Sequence, residues 1–181
     1  MTSARIAPHL LGRNWLAGVS SNPHTITDRW RSGSAALVQL SCRFDAILVA
    51  GADLTSAVVA ELHTSGVPLG PVLYDHGDRV SFWLVPVRPG LVWQMNGTML
   101  LTGPADGGEP PSLLMPAPVA RRVGQRQWLV PPDGSGHLTR HEDLAVALRR
   151  VRRGHPTSAA SGGPHVPEPV AVRAQDLPPT T

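Results

Sequence analysis

Few side chains in this 181-residue sequence have the type and spacing that chemistry needs. His137 and His141 stand four apart, as two metal ligands on one helix face would. Thr139 between them reads as a helix cap, which leaves His137 outside the helix, so the pair reads as solvated histidines near a helix start. Asp75, His76 and Asp78 sketch a cation loop, yet Asp75-His76-Gly77-Asp78 is also a hairpin turn that needs no ion. Asp53 is an isolated acid at a helix start, where capping is the preferred reading. The chain lacks lysine and with it the phosphate-binding G-x-x-x-x-G-K-[ST] loop. Gly134-Ser135-Gly136 is too short for a nucleophile elbow. One cysteine, Cys42, excludes an internal disulfide and a cysteine-based zinc site. No cofactor is expected.

The remaining chemical signal is basic. All 16 basic residues are arginine, which reports a GC-rich coding sequence as simply as a function. Seven of them, Arg121, Arg122, Arg126, Arg149, Arg150, Arg152 and Arg153, gather late in the chain against Asp133, Glu142 and Asp143 alone. Guanidinium forks match phosphate oxygens, so these seven are the candidate nucleic-acid-binding residues. A solvated basic helix end is the plainer alternative. A formal charge of +3 permits a nucleic-acid partner without demanding one. The five tryptophans fall mostly on core-facing positions, where packing outranks base stacking.

The elements that must position these residues follow from pattern. Asn22 and Pro23 open a short helix with Ile26 and Trp30 on one face, stopped by Gly33. Ala46-Ile47-Leu48-Val49 is a strand buried on both sides. A helix follows, capped by Asp53, carrying Leu54, Val58 and Leu62 inward and ending at Gly66. Val72-Leu73-Tyr74 and Arg79–Val85 form a hairpin closed by Pro86, and residues 98–101, 112–115 and 127–130 are short strands. Thr139-Arg140-His141-Glu142 has capping-box spacing and opens a helix with Leu144, Leu148 and Val151 inward. The fold class is α/β (α+β): a β-α-β-β unit in a mixed central sheet flanked by helices, with a C-terminal helix. The expected division is an N-terminal segment 1–20, a domain 21–153, and a disordered Pro/Gly/Ser-rich tail 154–181 whose composition buries too little to offset its ordering entropy. No apolar run reaches the ~18 residues of a membrane span, and residues 1–16 lack a signal-peptide pattern, so a cytoplasmic protein without a membrane partner is expected.

The order of these elements resembles the primase–polymerase domain of bifunctional DNA primase/polymerases, in the archaeo-eukaryotic primase superfamily. The likeness covers about three-fifths of the chain, from Pro23 to Pro132. It rests on Thr25-Ile26-Thr27-Asp28-Arg29-Trp30 in the first helix and on Phe82-Trp83-Leu84-Val85-Pro86, similar to the family's Y-F-x-x-P strand ending. Gly107-Gly108 with Leu114-Met115-Pro116-Ala117-Pro118 and Gly124-Gln125-Arg126-Gln127-Trp128 resemble its later segments. Leu69-Gly70-Pro71-Val72 and Trp128–Gly136 are similar to compact relatives of actinobacterial type.

The resemblance also implies what is missing. Active members carry two carboxylates leaving the first strand, which hold the divalent ions for nucleotide transfer. Here that strand runs through Leu48-Val49-Ala50-Gly51. Val80 stands where the family has its catalytic histidine, and no acid falls near Leu100–Gly103; Asp106 is explained as a loop residue. The expectation is therefore a non-catalytic primase–polymerase-like domain that binds DNA, RNA or a nucleotide, linked to DNA replication or its regulation. The rival from another class is a regulatory or scaffold protein that binds a protein partner through the sheet face. A third reading is residual primase/polymerase activity with displaced carboxylates, resting on Asp53.

Overall fold

A computed structural model describes residues 8–20, 22–40, 43–103, 108–120 and 122–154. The described elements run α1 (Pro8–Gly18), α2 (Pro23–Arg31), β1 (Ala36–Gln39), β2 (Phe44–Ala50), α3 (Ala52–Thr64), β3 (Val72–Asp75), β4 (Val80–Pro86), β5 (Thr98–Leu101), β6 (Ser112–Met115), β7 (Arg126–Val130) and α4 (His141–Gly154). The fold is mixed α/β, with four helices and two antiparallel sheets among the described residues.

Local signals act where their partners are local. Asn22 Oδ1 accepts the Thr25 amide at 3.3 Å and Pro23 takes the first helical position, so α2 starts and ends as its sequence dictates. At the end of α3, the Gly66 and Val67 amides donate back to the His63 and Leu62 carbonyls, closing the helix in a Schellman turn. The start of α3 differs from expectation. Asp53 does not cap it; the cap position is Gly51, at φ 97°, with no side-chain cap bond. The chain leaves β2 through a left-handed turn that favours glycine, and the helix begins before Asp53 can flank it. Asp53 instead stands exposed in the first turn, where its charge suits the positive helix end. Thr139 is likewise not a cap: its Oγ1 is taken by the Gly70 amide at 2.8 Å.

The main sheet has strand order β5-β2-β4-β3-β7 with every neighbouring pair antiparallel. This corrects the expected mixed sheet. The crossover through α3 does return β3 in the direction of β2, but β4 folds back from β3 into the gap between them, so directions alternate throughout. A separate ribbon pairs β1 with β6, Ala36 opposite Met115 and Leu37 opposite Leu114.

Both faces of the main sheet are covered. One carries a core cluster of Phe44, Ala46, Leu73, Phe82, Leu84 and Trp128 with Leu16, Ile26, Trp30, Val38, Met115 and their neighbours from α1, α2 and the ribbon. The indoles of Trp30 and Trp128 donate to the Met115 and Pro116 carbonyls, both at 3.0 Å, which ties the ribbon down. The other face holds Ile47, Val49, Val72, Trp83 and Val85 against Val58, Leu62, Leu144, Ala147 and Leu148 of α3 and α4. α1 is seated through close backbone approach: a Cβ on Gly12 would fall 1.8 Å from the Pro132 carbonyl oxygen. That contact gives the Pro131-Pro132-Asp133 stretch a packing role.

Candidate nucleic-acid interface

The place where the resemblance sets two carboxylates is the end of β2. Here the Ala50 and Gly51 amides donate to the Gly97 and Arg79 carbonyls, both at 3.0 Å. Two neutral side chains beside it, Thr55 and Ser81, are buried. Thr55 Oγ1 donates to the Gly51 carbonyl at 2.9 Å and meets Ser81 Oγ at 2.8 Å, and Ser81 Oγ accepts the Trp83 indole at 2.9 Å. Val80 opens β4, packed with Leu48 against the first core cluster. The acid within β2 itself is Asp45, which lies at the far end of the strand, opposite Val85, and is buried.

Beside this strand end, α3, α4 and the turn before β5 enclose a groove of about 550 Å³, with Asp53 and Arg152 at its rim and Leu54, Ala57 and Val151 along it. The Arg152 guanidinium donates to the Asn96 carbonyl, which holds it at the mouth.

The six described arginines of the seven do not form one patch. Arg121 lies outside the described residues. Arg122 is exposed and donates to the Gly124 carbonyl at 2.8 Å and to Gln125 Oε1 at 2.9 Å. Arg126 turns toward the first core cluster, 2.8 Å from the Asp75 carboxylate and 4.9 Å from the centre of the Phe82 ring. The other four stand on α4, across the sheet. Arg150 pairs with Glu61 at 3.0 Å, and that bond holds the Glu61 carboxyl below the ordinary carboxylate range. Arg149 and Arg153 are exposed and make no ion pair among the described residues. They sit one turn apart, about 6 Å along the helix axis.

No family model, curated protein or solved structure matches the chain.

The histidine pair is also separated. His137 is exposed, its Nε2 3.1 Å from the Pro68 carbonyl. His141, expected to be solvated, is buried beneath the tilted Trp93 ring, 6.4 Å centre to centre. The loop after β4 folds over the start of α4, which the sequence pattern did not register. Among the described residues no three His, Cys, Asp or Glu side chains converge as a metal site would require. Nor, among the described residues, is any helix long and apolar enough to cross a membrane.

Burial pushes the His141 pKa below the ordinary histidine value; Glu142 and Asp45 pull it up, and Arg88 pushes it further down. The unfolded chain therefore takes up a proton near pH 6.5 that the folded chain resists. Stability is expected to be complete above about pH 6.5 and to fall on acidification through the folded-state pKa. The low-lying carboxyls Glu61, Asp133 and Glu142 add their own losses only below the usual carboxylate range. Thermal unfolding between pH 7 and 5 should show this decline in the natural chain and a flatter profile in His141→Leu; equal profiles would exclude the mechanism.

Proposed function

We propose that the chain is a non-catalytic domain of primase–polymerase type that holds nucleic acid on the exposed arginines of α4. The carrying observation is the pair Arg149 and Arg153, exposed, a turn apart and without an acidic partner among the described residues. Arg152 extends this row toward the groove at the end of β2. Guanidinium groups at this spacing suit successive backbone phosphates, a contact that positions nucleic acid without reading its sequence. The non-catalytic part rests on the uncharged Leu48-Val49-Ala50-Gly51 run, on Val80, and on Asp53 standing alone. The rival reading, a protein partner on the sheet face, has less support because core clusters cover both faces.

The test is fluorescence anisotropy with a labelled 20-nucleotide DNA strand and duplex across a salt series. Arg149→Gln/Arg153→Gln should bind roughly tenfold more weakly at about 0.1 M salt. It should also lower the log–log salt slope by about 1.5, since each lost phosphate contact removes ~0.7–0.9. Salt-independent binding, or no loss in the double variant, would defeat the reading. Metal-dependent primer extension that vanishes in Asp53→Ala would replace it with residual polymerase activity.

A further inference from the structure

Four of the five tryptophans commit their indole N–H to the chain itself. Trp30 and Trp128 donate to backbone carbonyls at 3.0 Å, Trp83 to Ser81 Oγ at 2.9 Å and Trp93 to Thr98 Oγ1 at 2.8 Å. Trp15 has no such acceptor among the described residues. Its ring is nevertheless fixed, stacked on Phe44 at 5.8 Å between centres and packed half-buried against the first core cluster. An indole N–H in such a place ordinarily finds a partner.

Trp15 lines a cavity of about 440 Å³ between α1 and residues 136–138, a volume that suits a small molecule. Gly136 lines it too, at φ 75°, and a Cβ there would fall 3.2 Å from Trp15 Nε1. Glycine at this position therefore leaves the donor uncovered. Asn14, the residue before Trp15 on α1, and Arg43, the residue before Phe44 at the start of β2, reach the same cavity. Both are exposed, and Arg43 makes no ion pair among the described residues. Val19 and Leu138 complete an apolar wall. Among the described residues no acid lines the cavity.

We propose that this cavity binds a small organic anion, a carboxylate or phosphate group carried on a compact apolar body. An indole N–H and a guanidinium donate and cannot accept. With the Asn14 amide beside them they complement a group that is all acceptor and negatively charged. A cation finds no carboxylate here, and a neutral ligand gains nothing from the Arg43 charge. The apolar wall of Trp15, Val19 and Leu138 calls for carbon on the rest of the ligand, because a bare inorganic ion buries none of that surface. The inference goes beyond the nucleic-acid reading and does not rest on it. Trp15, Val19 and Leu138 pack on the first core cluster, whereas α4 with Arg149 and Arg153 covers the second, across the main sheet.

Titration of the isotope-labelled full-length chain tests it, because each indole N–H gives its own NMR signal and Trp15→Phe identifies the one at issue. In the free chain that proton should exchange with water at least tenfold faster than those of Trp30, Trp83 and Trp128. Benzoate or phenyl phosphate should shift the Trp15 signal saturably, with half-saturation at or below about 1 mM. The tighter of the two names the anionic group, and benzyl alcohol, their neutral counterpart, should bind at least tenfold more weakly. Arg43→Gln should weaken binding roughly tenfold, the loss of one charge-assisted bond, with the other four indole signals in place. Gly136→Ala should remove the shift by covering Nε1. Its positive φ makes that variant prone to strain, so Arg43→Gln remains the deciding one. A Trp15 signal unmoved by either anion at about ten times the stated concentration overturns the proposal, as does undiminished binding in Arg43→Gln. Benzyl alcohol or inorganic phosphate binding as well as phenyl phosphate overturns it too, since the site would then read no charge or no apolar body.

Discussion

Gly70→Ala is expected to lower the melting temperature by roughly 6–16 °C, although it adds a single methyl group. A Cβ at this position would fall 2.4 Å from the Thr139 nitrogen and 2.7 Å from Leu138 Cα. Both are backbone atoms, so neither can swing aside as a side-chain tip would. Overpacking of this kind costs about 1–3 kcal/mol. The same displacement breaks the buried bond from the Gly70 amide to Thr139 Oγ1, 2.8 Å long, and an orphaned amide costs about 1–3 kcal/mol more. A combined loss near 3–4 kcal/mol, at ~2–4 °C per kcal/mol for a domain of this size, gives the stated range. Thr139→Val keeps the shape and removes only the acceptor, so it should cost about half as much. Calorimetry on the two variants checks the order. A Gly70→Ala chain melting within a degree of the natural one would mean the two segments are free to separate. Because this contact anchors the start of α4, Gly70→Ala should also weaken nucleic-acid binding without removing any positive charge.

The Gly70 contact shows what was legible in the sequence and what was not. The segment Leu69-Gly70-Pro71-Val72 stood out as a motif, but its reason lies 69 residues away, at Thr139. The capping-box reading failed by one residue: α4 begins at His141, its first turn closing on the Arg140 carbonyl, so Thr139 lies outside the cap position and its hydroxyl serves the remote Gly70 amide instead. By contrast, the Asn22–Pro23 start of α2 and the Gly66 end of α3 were readable because every partner is within five residues. β2, β3 and β4 were readable because their apolar runs are long or dense. β1 was not: it has four residues, and it exists by pairing with β6 some 75 positions later. α1 went unassigned because its start carries no cap signal, and its seat is the Pro132 backbone rather than its own periodicity. Charge proximity in sequence misled most. Arg122 to Arg153 spans barely thirty residues, yet the main sheet stands between Arg126 and the arginines of α4. Counting charges along a chain ignores which face each strand turns inward, and β7 turns Arg126 toward the same core as Trp128.

Arg126→Met is therefore expected to act on stability rather than on binding, with a loss of about 3–5 kcal/mol. Asp75 is buried at the end of β3, its side chain 6% exposed, and Arg126 is 19% exposed. One carboxylate oxygen of Asp75 accepts the Gly77 amide at 2.8 Å and the Asp78 amide at 3.3 Å, which shapes the β3–β4 turn. The other meets Arg126 at 2.8 Å, and the guanidinium lies over Phe82. Methionine fills much of the same volume but leaves the carboxylate buried with two amides and no cation. Removing one member of a buried pair costs about 3–5 kcal/mol, chiefly through the charge left behind. Asp75→Asn/Arg126→Met should recover part of that loss, because the neutral amide keeps an acceptor for the turn; the departure from additivity measures the coupling. Urea unfolding of the two single variants and the double variant reads these numbers directly. The same proteins separate structure from interface. Under conditions where Arg126→Met is folded, its salt slope for DNA binding should match the natural chain, whereas Arg149→Gln should lower it. An Arg126→Met protein of normal stability that binds DNA as poorly as Arg149→Gln would return Arg126 to the interface, and would require β7 to present its other face to solvent.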